Sequence, residues 1–417
     1  MSEKQELNMY ALSTDPIFIG TGGYTIGRVD NTIVRDTITK IPKIPGSSIA
    51  GTWRYYMALE LQGWYKKNFE NIKSILGGNE IATEDIRELV NRLADRELDA
   101  GRRENFSERM TKFKKYSKAI SSAINTNCYE NNNDNETKND WQLYWGNLIS
   151  SIKCAGQDDK ANENYEDSLV GSIRELSDTG HCGHCIICKT FGFSKKNRSQ
   201  QGMAYFSDLN ILLFPVYTRL GVKWVTSPYI LESAGIKAKF QQMNKSEDIL
   251  SESSFSRLRN LLKDDTAVIV KNCENENDKY YINLGWLNLE AVNQDILLAL
   301  PNLENKEETW KNISENLIIV PDDLISNIIN ANLEVRTSVS INPLTGTAKE
   351  GALFTSEAIP RGTVFYGNIR LLESQSEVAP TINEVVMALK DSKKYYECLG
   401  VGGMTTRGFG RAKLFFS

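Results

Sequence analysis

The chain reads as an α+β protein, and three observations predict it. Strand-like alternation marks both ends, residues 9–23 and 412–416, and the stretches 202–226 and 333–372 between them. Helical spacing follows Pro45 and recurs over 382–389. A long polar stretch, about 63–170, reads as an insertion into this frame of strands and helices.

The first strand-like run ends in Gly20-Thr21-Gly22-Gly23, where glycine permits positive φ and close backbone approach. A Thr- and Ile-rich loop leads to Pro45-Gly46-Ser47-Ser48. Ser47 or Ser48 can cap the next helix, whose Ile49, Trp53 and Tyr56 share one face. The polar insertion contains an Asn-rich run over 125–139 and offers no recognisable chemistry, so packing and solubility are its expected roles. Next come Met203, Tyr205 and Ile211-Leu212-Leu213-Phe214, which are β-prone, and Pro215 bounds the apolar run. Residues 248–320 mix helical and strand-like pieces. Turns are expected at Pro343-Leu344-Thr345-Gly346 and Pro360-Arg361-Gly362, and the last strand follows a glycine-rich loop over 400–411. The resulting division is 1–63, 64–170, 171–240, 241–335 and 336–417.

With 417 residues, at about 150 per domain, two or three domains or one domain with large insertions are expected. The 41% apolar and 24% charged content suits a globular core without disulfides. No apolar run approaches the ~20 residues of a spanning helix, and the polar N-terminus lacks a signal-peptide h-region. No membrane partner is expected. Seven cysteines, three of them close together, point to a reducing cytoplasm and a metal site. Net charge is −4, but it is unevenly spread. Residues 181–245 hold nine basic and two acidic side chains, and residues 246–335 hold seven basic and seventeen acidic. A phosphate-binding surface needs only the local positive field.

The sharpest chemical signal is His181-Cys182-Gly183-His184-Cys185-Ile186-Ile187-Cys188, which contains both histidines of the protein. Three thiolates and one imidazole satisfy tetrahedral zinc, and four protein ligands make such a site structural. Either His181 or His184 can complete the set with Cys182, Cys185 and Cys188. Histidines committed there leave none for a two-histidine ribonuclease. There is also no Walker A run, no Gly-x-Ser-x-Gly and no His-Glu-x-x-His.

Two glycine-rich turns suit phosphates. The first carries Gly22 and Gly23, with Arg28, Arg35 and Lys43 ahead of a helix N-terminus at Ser47 and Ser48, and Arg54 further along that helix. The second carries Gly402, Gly403, Thr405, Thr406, Arg407 and Arg411.

These signals, in this order, resemble the RAMP superfamily of CRISPR effector proteins, and in particular the repeated backbone subunit, the fourth, of the type III-B Cmr complex. The stretches 27–36 and 41–54 look like that family's first motif. Phe206-Ser207-Asp208, Leu213-Phe214-Pro215-Val216 and Trp224-Val225-Thr226-Ser227-Pro228 look like its middle motif, and Gly351-Ala352-Leu353-Phe354 with Glu357 and Pro360 like a later one. The loop 402–408 resembles its terminal glycine-rich loop. The resemblance does not cover residues from about 64 to 170.

The resemblance implies a ferredoxin-like (RRM-like) βαββαβ core with large insertions and a β-hairpin thumb within 228–335. It implies copies stacked as a filament on crRNA, target RNA as substrate, and neighbouring Cmr subunits that include the large signalling one. Each thumb displaces a base at every sixth position, and an aspartate of the first loop, here Asp30, promotes cleavage opposite it. In-line attack by a 2′-OH needs the geometry a displaced base permits. A carboxylate there can take the proton or hold Mg²⁺ or Mn²⁺ on the phosphate. Glu357 is a second candidate, flanked by Thr355, Ser356 and Ala358 where the family tends to place Tyr and Glu. Two other readings stay open: a non-catalytic crRNA-binding subunit, and a zinc-stabilised protein-interaction module.

Overall fold

The computed structural model describes residues 4–22, 29–77, 141–144, 146–147, 150, 152–156, 181–195, 198–240, 252–263, 266–270, 279–301, 308–374 and 379–417. The strands are β1 (Lys4–Ser13), β2 (Lys43–Ile44), β3 (Phe193–Lys195), β4 (Arg198–Gln200), β5 (Ala204–Phe206), β6 (Leu209–Thr218), β7 (Gly221–Thr226), β8 (Ala238–Phe240), β9 (Ala267–Val270), β10 (Lys279–Leu284), β11 (Leu287–Gln294), β12 (Ile296–Leu298), β13 (Leu317–Ile319), β14 (Glu334–Ile341), β15 (Ala348–Ala358), β16 (Val364–Leu372) and β17 (Ala412–Phe416). The helices are α1 (Gly46–Gly77), α2 (Ile186–Phe191), α3 (Pro228–Ser233), α4 (Glu252–Leu261), α5 (Glu308–Glu315), α6 (Asp322–Ala331), α7 (Ile382–Ser392) and α8 (Tyr395–Cys398). The Asn-rich run, and most of 64–170, lie outside the described residues.

The expected mixture of strands and helices is found around one large sheet. Its order is β10-β11-β9-β13-β7-β6-β16-β1-β17, with β2 added to β6 and β5 to β16. Among the described residues no helix is long and apolar enough to cross a membrane.

The chain divides into two compact units. The first comprises 1–6, 50–206 and 369–394, the second 7–49, 207–368 and 395–417. In the first, Trp53, Tyr56, Met57 and Leu61 form the buried stripe that an amphipathic α1 requires. Trp53 Nε1 donates to the Leu389 carbonyl (3.2 Å) and to Ser392 Oγ (3.0 Å) on α7. That helix starts with a capping box between Thr381 and Glu384. In the second unit, Ile211–Phe214 of β6 and Leu317–Ile319 of β13 are fully buried, as central strands of such a sheet should be.

Pro215 does not end its strand, because β6 runs on to Thr218. Pairing with β16 starts at Val364, opposite Leu213, so the missing Pro215 N–H falls beyond that ladder and only β7 accompanies the rest. The hairpin β10–β11, inside the range expected to hold the thumb, is an edge of the large sheet. Three pairs form two-stranded sheets of their own among the described residues, β3–β4, β8–β12 and β14–β15, and the longest of them is the ribbon β14–β15, from Glu334 to Ala358. Its turn falls at the expected Pro343–Gly346, and Val335, Val339, Ile341, Leu344 and Leu353 are exposed along it.

Candidate functional site

In the second unit, Asn31 forms a parallel bridge with Ser356 of β15. Asn31 N donates to the Thr355 carbonyl and Glu357 N to the Asn31 carbonyl, each at 3.0 Å. This places Asp30 beside Thr355. Asp30 Oδ2 accepts from Thr355 N (2.8 Å) and Thr355 Oγ1 (3.0 Å), while Asp30 N donates to Thr355 Oγ1 (3.1 Å). The side chain is exposed. The Thr355 donors stabilise the charged form and hold this carboxyl below the usual carboxylate range.

Glu357 is two residues along the same strand but is occupied. Its Oε1 receives Arg35 NH2 at 2.6 Å and its Oε2 receives Ile33 N at 3.4 Å. Arg35 in turn donates Nε to Asn330 Oδ1 (2.8 Å) and NH1 to the Ile33 carbonyl (3.0 Å). With side-chain exposures of 25% and 12%, Arg35 and Glu357 form a half-buried pair that fastens the loop to β15 and α6. The rest of the loop is pinned similarly: Ser326 Oγ and Asn330 Nδ2 of α6 donate to the carbonyls of Thr39 and Lys40.

Asp36 turns the loop by accepting from Ile38 N and Thr39 N, which brings its pKa down to about 2. Lys43 bridges Asp36 (3.4 Å) and Asp208 (2.7 Å), and Asp208 Oδ1 accepts Gly46 N at 2.8 Å. The N-terminus of α1, expected to face a phosphate, thus already faces a carboxylate. Ser47 is exposed and Ser48 half-buried there.

The C-terminal glycines are demanded by packing within this unit. A Cβ on Gly402 meets the Phe18 carbonyl oxygen at 2.3 Å, and Gly403 N donates to that same oxygen at 3.0 Å. Arg411 is paired with Asp15. Thr405 and Thr406 belong to a one-turn 3-10 helix with Arg407, whose exposed guanidinium has no partner among the described residues. Gly22 is exposed with φ +81°, whereas Gly23 and Arg28 lie outside the described residues. The cation best placed to meet an anion is therefore Arg407. Arg35, Lys43 and Arg411 already have carboxylate partners.

In the first unit the thiols converge, with one change of ligand. The sulfurs of Cys154, Cys182, Cys185 and Cys188 all lie within 4.8 Å of one another. The fourth member is Cys154, from the stretch expected to carry no chemistry, and neither His181 nor His184 belongs to the set. His181 Nδ1 lies 2.9 Å from Arg54 NH2. Three amides point at sulfur: His184 N and Cys185 N at Cys182 Sγ (3.4 and 3.2 Å), and Cys188 N at Cys185 Sγ (3.4 Å). Gly183, with φ +82°, makes the turn between the ligands. Asn147, fully buried, ties the Cys154 segment to this knuckle. Its Oδ1 accepts Ile186 N (2.9 Å), and its Nδ2 donates to the Trp141 carbonyl (3.0 Å). Burial, then the neighbouring cysteines, push the Cys185 thiol well up, and contacts with Cys154 and Cys182 do the same to Cys188. Thiols so placed ionise together only around a cation. Four cysteines at this separation, three buried and Cys182 half-buried, fit a tetrahedral, thiophilic ion such as zinc.

Comparison with known proteins now places the chain in a class: residues 12–413 match the RAMP superfamily, and the chain belongs to it. More particularly, it is similar to the CRISPR system Cmr endoribonuclease Cmr4 of Pyrococcus furiosus, at 29% identity over 238 residues, covering 55% of this chain and 74% of that one. Among solved structures it resembles a chain of the type III-B Cmr-beta complex in its apo state, with 14% identity, a TM-score of 0.46, and coverage of 99% and 96% of the two chains. Oligomeric Cmr4 from Pyrococcus furiosus gives 16% identity and a TM-score of 0.40 over 100% and 99%.

Proposed function

We propose that this chain is a crRNA-binding backbone subunit of a type III-B CRISPR effector and that it cleaves complementary target RNA at six-nucleotide intervals with the help of Asp30. The observation that carries the reading is an exposed carboxylate at the first-loop position of a RAMP chain, fixed by two donors from Thr355. A ferredoxin-like core is supported by the strand order β6-β16-β1-β17, with α1 following β1 and α7 between β16 and β17. The exposed ribbon β14–β15 fits the part of the base-displacing thumb better than β10–β11 does.

Asp30 has two conceivable roles, and its environment favours one. A carboxylate held below its ordinary pKa is a weaker base, but it stays charged at every physiological pH. It therefore suits holding a cation better than removing the proton of the 2′-OH. Mg²⁺ or Mn²⁺, when bound, neutralises charge on the phosphate, and such ions are commonly held by one or two carboxylates together with substrate phosphates. Thr355 keeps Oδ2 in place, so among the described residues Oδ1 is the oxygen left to act. Glu357 acts through Arg35 to hold the loop and is a positioning residue in this account. The tetrathiolate cluster is read as a structural zinc site. Other copies of the chain, and the remaining Cmr subunits, are the proposed partners.

The test is Asp30→Asn in a reconstituted complex. Guide and target binding should persist, and cleavage at six-nucleotide spacing should fall by at least about 100-fold, the scale of a lost acid–base or electrostatic group. Undiminished cleavage would reject the assignment of Asp30 and with it the mechanism proposed for this chain.

A further inference from the structure

Arg54 lies on α1, one residue after the buried Trp53, and is half-buried. The sequence reading gave it to an RNA phosphate. Its donors are directed elsewhere. Nε donates to the Cys154 carbonyl at 2.7 Å and NH1 to the Gly192 carbonyl at 2.8 Å. NH2 sits 2.9 Å from His181 Nδ1 and 4.0 Å from Cys188 Sγ. The fork therefore holds both chain segments that bring thiols to the cluster, one through Cys154 itself and the other at both ends of the knuckle. A neutral imidazole nitrogen facing a guanidinium can only accept, so His181 Nδ1 serves Arg54, and His181 is not among the four residues of the cluster.

Charge gives a second reason for an arginine here. Four thiolates around a divalent ion carry two net negative charges, and Cys154, Cys185 and Cys188 are fully buried. Buried charge needs a counter-charge. Arg54 supplies one beside Cys188. Lys189, next in sequence and 1% exposed, is another buried cation, with Nζ donating to Gln200 Oε1 at 3.0 Å. Neutral thiols would need no such charge beside Cys188.

We propose that Arg54 is a positioning residue of the tetrathiolate metal site, joining its two ligand segments and offsetting its charge, and that it makes no contact with RNA. The inference rests on the reading of Cys154, Cys182, Cys185 and Cys188 as a metal site. The full-length wild type, Arg54→Lys and Arg54→Met are compared for zinc content, for the rate of zinc release to a chelating dye, and, when zinc-loaded, for guide-RNA affinity. The wild type should carry zinc. Arg54→Met should weaken zinc binding by about 10–100-fold, the usual effect of losing an outer partner of a metal ligand. Arg54→Lys keeps the charge without the fork, should fall between the two, and serves if the Met variant does not fold. Each zinc-loaded variant should bind guide RNA as the wild type does. Variants that hold zinc as tightly as a zinc-loaded wild type overturn the inference alone, as does lost RNA affinity in a zinc-loaded variant. A wild type that binds no zinc removes the metal site and the inference together.

Discussion

At the scale of single residues, three carboxylates of the second unit illustrate different uses of the same group. Asp30 is exposed and pinned, Glu357 is half-buried and paired, and Asp36 serves the turn that shapes the loop between them. Two backbone N–H groups lower the Asp36 pKa from 3.8 to about 2. A depressed carboxyl contributes stability that is fully present above its unfolded pKa and is lost as pH falls through the folded value. Asp36→Asn should therefore lower the melting temperature near neutral pH. The gap from wild type should then close between about pH 4 and pH 2. A gap that stays constant across this range in calorimetric scans would mean that the charge of Asp36 has no part in the turn. Sequence singled out Asp30 through the resemblance of residues 27–36 to a family motif. It could not reveal that Arg35 and Glu357 consume each other's charge, since their pairing joins residues 322 positions apart. Nor could it give Thr355 its role, since that role arises only from the pairing of the loop with β15.

At the scale of elements, the glycine-rich C-terminal loop shows how a sequence signal can be real and yet have another cause. Glycine was expected there so that amides could approach an anion. What approaches is the Phe18 carbonyl, and Gly402, with φ +84°, has no room for a Cβ. Gly22 has a similar φ, but among the described residues no atom lies within 4 Å of a Cβ there. The two positions separate backbone strain from steric exclusion. Gly22→Ala should cost about 1–2 kcal/mol, the left-handed penalty of an L-residue. Gly402→Ala should cost about 2–5 kcal/mol, since overpacking adds to that penalty. Urea midpoints of the two variants check the difference, and equal losses would remove the packing explanation. The helices, by contrast, were legible because their signals are local. The run of apolar residues four and seven apart in α1, and the Thr381–Glu384 box before α7, are each written within a turn or two of chain.

At the scale of the whole molecule, the two compact units are interleaved in sequence, each assembled from three separate stretches. No linear division of the chain into five segments could express this, because membership is decided by long-range packing and not by composition. The same cause hid Cys154. Isolated in a polar stretch, it has no motif, and only the fold brings it to the Cys182–Cys188 turn. Its place in the cluster gives the first unit a cross-link between the 141–156 segment and the knuckle. A polar contact backs it up, Asn147 to Ile186, while Trp141 Nε1 ties the same segment to Asp391 of α7 at 2.8 Å. A small, loop-rich region held this way should depend on its ion, since metal-binding energy is folding energy where no preformed site exists in the unfolded chain. Chelation of the purified protein should therefore speed amide exchange over α2 and residues 152–156. Strands β6, β16, β1 and β17 have a large apolar core of their own and should keep their protection in the second unit. Cys154→Ser should reproduce the chelated pattern without chelator, because an alcohol is a poor ligand for a thiophilic ion. Uniform loss of protection along both units would instead make the metal a keystone of the whole fold. Unchanged exchange in both would deny the cluster any structural role.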